Sequence, residues 1–90
     1  MIFTVKEQTR LTDTVYRLTL TGDTSAITRP GQFVQIQLPG FYLRRPISVC
    51  DWDADTLTLI YKVVGEGTKA MTALKPGTKL DLLTGLGNGF

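Results

Sequence analysis

Histidine is absent from the 90 residues, and cysteine occurs once, at Cys50. The first absence removes the usual proton shuttle near neutral pH and the commonest metal ligand. The second excludes a disulfide within the chain and any metal site built from several cysteines. Charge of one sign is lacking too: ten Lys and Arg against eight Asp and Glu leave a net +2, too little to imply nucleic-acid or membrane binding by charge alone. No apolar run approaches the roughly 20 residues of a membrane-spanning helix, and the start "MIFTVKEQTR" lacks the basic-then-apolar layout of a secretory signal. A soluble protein of a reducing compartment, the cytoplasm, is the expectation, and any cationic site must be local.

What remains is an ordinary folding composition, 42% hydrophobic and 20% charged with nine glycines and four prolines. A domain of this size buries about 60–65% of the surface of its unfolded chain, so one core is expected. Apolar residues recur with the period of strands. In "TVYRLTL" Tyr16, Leu18 and Leu20 share one face, with Arg17 and Thr19 on a wet one. In "GQFVQIQLP" Val34, Ile36 and Leu38 oppose Gln35 and Gln37. Residues 2–9, 46–52, 56–64 and 79–85 complete six candidate strands. Breakers separate them: Gly22 to Pro30 and Gly31, Pro39 with Gly40, "DWDAD" at 51–55, and Pro76 with Gly77. Only "TKAMTAL", 68–74, has helical spacing, with Thr68 as its N-cap. Six short strands and one small helix predict an all-β fold, an antiparallel barrel or sandwich of Greek-key type, because closing the sheet is how a small all-β domain removes its edges.

Chemistry gathers at three places. In "LRRPISVC", Pro46 lacks a ladder donor and pushes Arg45 into an extended conformation, so Pro46 belongs at a strand start or edge. Arg45 and Ser48 then stand roughly 10 Å apart along the strand, a guanidinium suited to phosphate and a hydroxyl. The same residues also read as solvated loop arginines, Arg44 included, with Ser48 a polar outward position. In "VVGEGTKAM" two glycines around Glu66 allow conformations closed to other residues, and Gly67-Thr68 opens the helix, where free N–H groups attract anions. A plain strand-to-helix turn explains that stretch equally well. The ending "LLTGLGNGF" reads as a linker, or as backbone able to approach a ligand or another domain closely. Along the fourth strand Ser48, Cys50 and Trp52 share a face opposite Ile47 and Val49, with Cys50 read as a small packed residue. Tyr61 joins Leu57, Leu59 and Val63 in the core; Ile60 and Lys62 fall on the other side, where Lys62 is a wet-face lysine unless that face holds a ligand.

Taken in order, "PGQF" at 30–33, "RRPIS" at 44–48, "LIYKVVGEGT" at 59–68, "LKPGTKLDLL" at 74–83 and "GLGNGF" at 85–90 resemble the amino-terminal part of the electron-transfer subunit of dihydroorotate dehydrogenase type B, one of the ferredoxin reductase-like flavoproteins. The resemblance implies a six-stranded antiparallel Greek-key barrel that binds FAD on its outer face. Arg45 would take the pyrophosphate, Ser48 would stand near the isoalloxazine ring, and Pro46 and Ile47 would line the flavin. Ile60, Tyr61 and Lys62 would touch the cofactor by side chain or backbone, and Gly67 with Thr68 would hold phosphate at the helix start. It also implies an FMN-containing catalytic subunit as partner, in pyrimidine biosynthesis, with neither nucleic acid nor membrane involved.

The family's NADH-binding domain and [2Fe-2S] cysteine cluster have no counterpart in these residues. Residues 1–90 are therefore expected to be one FAD-binding domain, without catalytic or metal-ligating residues of its own, that binds FAD and does not turn over alone. A barrel cut at "GNGF" would leave bare what a second domain covers, so self-association is a further expectation. Two rivals stay open: a non-enzymatic β-barrel module for a protein or anionic ligand, and the flavin domain of another NAD(P)H-dependent reductase of the same barrel type.

Overall fold

The structure, a computed structural model, describes residues 2–25, 27, 32–38 and 45–86, except the side chains of Arg45 and of 84–86. The expected turns at Pro30-Gly31 and Pro39-Gly40, Arg44 and the "GNGF" ending lie outside the described residues. The chain runs β1 (Ile2–Arg10), β2 (Val15–Thr21), β3 (Phe33–Gln37), β4 (Arg45–Trp52), β5 (Thr56–Lys62), α1 (Glu66–Met71) and β6 (Lys79–Leu86). All six strands pair antiparallel and close in the order β1-β2-β5-β4-β3-β6, with Ile2 opposite Asp81 where the last strand meets the first. The six strands and the short helix are as the alternation predicts, and their closure decides for the barrel that the resemblance implies over a sandwich.

The inward positions are those the period-two pattern marks. Val34, Ile36 and Leu38 are buried while Gln37 is exposed, and Leu57, Leu59 and Tyr61 face inward while Ile60 and Lys62 face out. Every strand supplies fully buried or nearly buried apolar side chains, and Met71 of α1 joins the same core. Each such side chain is worth about 1.5–3 kcal/mol.

The register shifts at three places among the described strands, between β3 and β6 at Phe33/Gln35 and at two bulges in β1 and β4 that a strict period of two cannot anticipate. In β1 the register passes from Val5 opposite Leu20 to Glu7 opposite Thr19, which leaves Lys6 unpaired and turns Gln8, opposite Leu18, to the inner side. In β4 it passes from Val49 opposite Leu59 to Asp51 opposite Thr58, so Cys50 is the extra residue. This corrects two expectations. Cys50 is exposed rather than packed, and Trp52 leaves the face of Ser48 to pack against the core. Thr19 departs as well: it is buried between β1 and β5 instead of wet.

The connections obey local chemistry. Thr78 N donates to Lys75 O at 3.1 Å around Pro76-Gly77, and Gly77 has φ 91°, the left-handed value that a type II turn requires after proline. At the opposite hairpin Asp53 Oδ1 accepts from Thr56 N at 2.9 Å. The buried Thr24 hydroxyl donates to Asp53 O at 2.6 Å, pinning the β2–β3 connection to that hairpin.

Gly22, just past β2, is needed for space. A Cβ there would come within 2.6 Å of the Phe3 ring, which is fully buried. Gly22→Ala is expected to destabilise the barrel by about 1–3 kcal/mol through overpacking, lowering Tm by roughly 5 °C or more in a thermal unfolding scan.

Candidate functional site

The strand that carries "RPIS" changes partner along its length. Residues 45–48 of β4 pair with Ile36 back to Phe33 of β3, and Val49 N donates to Gln32 O at 2.8 Å. From Val49 onward the strand pairs instead with β5, and among the described residues that register runs only from Trp52–Leu57 to Val49–Leu59. Hydrogen-bond direction alternates along an antiparallel strand. The Val49 bond assigns residues 47 and 49 to β3, and leaves 46 and 48 addressing β5. On β5, Val63 N donates to Thr14 O at 2.7 Å, so residues 61 and 63 address β2 while 60 and 62 address β4. Continued register would bring Pro46 opposite Lys62, and proline has no N–H to give. Among the described residues the two strands already part after Val49–Leu59, and the register gives residues 60 and 62 of β5 no partner on β4.

The candidate residues divide around this seam by face. Pro46 and Ser48 are exposed on the outer surface, as are Ile60 and Lys62, with Ile60 40% exposed. Ile47 and Tyr61 point the other way, 7% and 4% exposed, into the core. Their side chains belong to the barrel's interior, and only their backbones border the seam. Arg45 begins β4 opposite Ile36; its side chain is outside the described set.

The helix start differs from expectation in a way that bears on anion binding. The helix begins at Glu66 with Gly65 as N-cap, so Thr68 is the third helical residue rather than the cap, and Gly67-Thr68 lies inside the first turn. The Thr68 hydroxyl, 3% exposed, accepts from Val64 N at 2.9 Å and Gly65 N at 3.1 Å and donates to Gly65 O at 3.2 Å. These bonds divert the chain after Lys62, ending β5 two residues before the alternation suggests. The hydroxyl is thus committed to the turn, and the groups able to meet an anion are the first-turn backbone N–H donors. Gly65 is extended, φ −169°, a conformation open to any residue, and a Cβ there would meet nothing within 4 Å. Its side-chain position faces open space in front of the helix, next to Val64, which is 70% exposed. The two glycines around Glu66 were the only signal of that opening, and nothing in the sequence marked Val64.

Behind the seam lies a polar junction that the sequence did not disclose. The Tyr61 hydroxyl donates to Gln8 Oε1, and Gln8 Nε2 donates to Met71 O at 3.0 Å and Leu74 O at 3.2 Å. Tyr61 also stacks on Tyr16, centroids 5.7 Å apart. Burial, with a smaller push from Tyr16, holds the Tyr61 phenol well above its usual pKa. Among the described residues no three His, Cys, Asp or Glu side chains gather to hold a metal, and no helix is long and apolar enough to cross a membrane.

A closed six-stranded antiparallel barrel with a helix between its fifth and sixth strands is the fold of the ferredoxin reductase-like flavoproteins. The chain superposes over its whole length on 34% of an NADH-dependent reduced ferredoxin-NADP oxidoreductase described for flavin-based electron bifurcation, with a TM-score of 0.87 and 26% identity. The siderophore-interacting protein SipS of Aeromonas hydrophila shares the fold at a TM-score of 0.75 and 22% identity, over 97% of this chain and 45% of that one. By sequence the chain is a homologue of the electron transfer subunits of dihydroorotate dehydrogenase B (NAD(+)). It is 44% identical to that of Enterococcus faecalis over 94 residues, 99% of this chain and 36% of that protein. It is 42% identical to that of Listeria innocua over 96% and 35%, and 37% identical to that of Bacillus velezensis over 97% and 36%. The chain thus spans about a third of the length of the relatives it matches. No protein-family model matches it.

Because the folded state favours the neutral phenol, Tyr61 contributes stability in full below the usual tyrosine pKa of about 10 and loses it as pH climbs toward the raised folded value. Tyr61→Phe is expected to lose about 1–2 kcal/mol near neutral pH, since Gln8 Oε1 is left without its donor. The gap between variant and native protein should narrow above about pH 10, as read by urea unfolding at several pH values.

Proposed function

We propose that this barrel is the FAD-binding domain of an NADH-linked electron-transfer subunit serving a dihydroorotate dehydrogenase, with the cofactor lying on the outer face along the β4–β5 seam. The observation that carries the reading is the end of the β4–β5 register after Val49–Leu59, which gives Ile60 and Lys62 no partner on the strand that carries Pro46 and exposed Ser48. Backbone groups outside a ladder still call for hydrogen-bonding partners, and a flat heterocycle with donors and acceptors on its rim can supply them. The open space at Gly65 suits the approach of a phosphate to the first turn of α1.

In this arrangement the chain's residues bind and orient. Arg45, at the start of β4, and Lys62, exposed on β5, supply permanent positive charge to a dianionic pyrophosphate. The first-turn N–H groups of Glu66, Gly67 and Thr68 meet phosphate oxygens, with the Thr68 hydroxyl holding the turn in shape. Ser48 and the backbone of Ile60 and Lys62 border the isoalloxazine ring, Pro46 and Ile60 give it apolar contact, and Ile47 and Tyr61 act from behind as core. The Glu66 carboxylate, exposed in the same first turn, opposes the anion and tempers affinity. Bound FAD supplies the hydride and electron chemistry itself.

The named relatives are electron transfer subunits of dihydroorotate dehydrogenase B. We assign this chain the same place, beside an FMN-containing catalytic subunit in the cytoplasm, with NADH and the [2Fe-2S] centre handled outside residues 1–90. The 44% identity to those subunits against 26% to the bifurcating oxidoreductase favours this partner over that of another reductase.

Titration with FAD, followed by quenching of flavin fluorescence, tests the reading: saturable binding is expected, and a folded sample that stays silent at millimolar FAD would overturn it. Arg45→Ala should weaken binding more at low salt than at high salt, because a charge contact to phosphate is screened; equal losses at both would exclude a phosphate role. Gly65→Ser separates site from scaffold. A serine N-cap fits the extended backbone and adds a few tenths of a kcal/mol, so Tm should hold or rise while FAD affinity falls. Unchanged affinity would place the cofactor elsewhere.

A further inference from the structure

We infer that Gln8 is a positioning residue whose side-chain amide ties the C-terminal turn of α1 to β5 and so sets where the first turn of α1 stands beside the β4–β5 seam. The inference rests on the FAD reading for its functional half and on geometry alone for its structural half.

A helix of six residues is too short to persist by itself. Its apolar hold on the barrel comes from fully buried Met71, with Ala70 and Leu74 packed alongside, and apolar burial is non-directional. Direction must come from hydrogen bonds. Among the described residues, the two donated by Gln8 Nε2 to Met71 O and Leu74 O are the ones that join 66–74 to a barrel strand. Carbonyl oxygens only accept, which assigns the amide's orientation and leaves Oε1 for the Tyr61 hydroxyl. Tyr61 in turn is clamped by its stack on Tyr16. Gln8 reaches this place because the Lys6 bulge turns it inward; without the bulge it would point to solvent.

The helix is a lever about this anchor. From its last residue to its first it spans roughly 9 Å, so a swing of about 10° at the C-terminal end moves the first turn by roughly 1.5 Å. That displacement suffices to break a hydrogen bond to a phosphate oxygen. Residue 8 therefore influences the anion-facing donors without touching the ligand.

Two variants of the whole chain test this. Gln8→Met keeps volume and removes every polar group; Gln8→Glu keeps the length and the acceptor for Tyr61 but has no proton for the two carbonyls at neutral pH. Both are expected to speed amide exchange at 69–74 roughly tenfold relative to the core amides of β2 and β5, and to raise the Kd for FAD by a similar factor, the scale of one or two lost hydrogen bonds. Exchange that rises no more in the helix than in those strands overturns the anchoring role, as does Gln8→Glu behaving like the native residue. A loosened helix with unchanged FAD affinity overturns the positioning role. If native protein takes up no FAD, the flavin reading falls and the functional half with it, while exchange still decides whether Gln8 holds the helix.

Discussion

Ring closure is the constraint on which the rest depends. Six short strands satisfy their backbone groups only if each has two neighbours, and β4 meets that demand by serving β3 with its first half and β5 with its second. A proline in the middle of a sheet would break a ladder. At position 46 it sits where β4 is bonded on one side alone, so the missing N–H falls on the side facing the seam. The residue that looks least suited to a barrel strand stands beyond the end of the β4–β5 register, where its missing N–H breaks no ladder bond.

The helix side of the site follows from the same economy of bonds. Thr68 ties the turn that ends β5, Gln8 ties the other end of α1, and between them the first-turn donors are left facing the open space by Gly65. On this side of the barrel exposed Lys62 at the end of β5 is followed within a few residues by the first-turn donors of α1. None of these elements would hold its place alone, since each is short and shares the single core.

Much of the fold was legible because one face of every strand is buried, and burial writes itself into the sequence with period two. Strand identities, inward faces such as Val34-Ile36-Leu38, and the Pro76-Gly77 turn needed nothing more. The failures concentrate at bulges. One unpaired residue at Cys50 moved Trp52 to the core side, and one at Lys6 turned Gln8 inward; neither carries a residue type that announces a bulge. The helix start was misplaced because Thr68 has the chemistry of an N-cap and uses it from the third helical position instead. Among the candidate residues, Ser48, Ile60 and Lys62 were readable as outward by alternation, and Ile47 and Tyr61 as inward, so that only the backbones of the last two border the seam. Gly65 was misjudged in kind: its conformation is ordinary, and what matters is the empty volume before it.

The pairing of Ile2 with Asp81 carries a consequence for how the chain comes to be folded. The first of the six described strands is sealed by the sixth, so during synthesis β1 keeps one edge bare until β6 has emerged. Most contacts join residues far apart in sequence, a topology that folds in milliseconds to seconds rather than microseconds. For that interval the nascent chain exposes edges able to pair with other strands. Closing the ring between strands so far apart in sequence thus keeps an edge open to aggregation until late in synthesis.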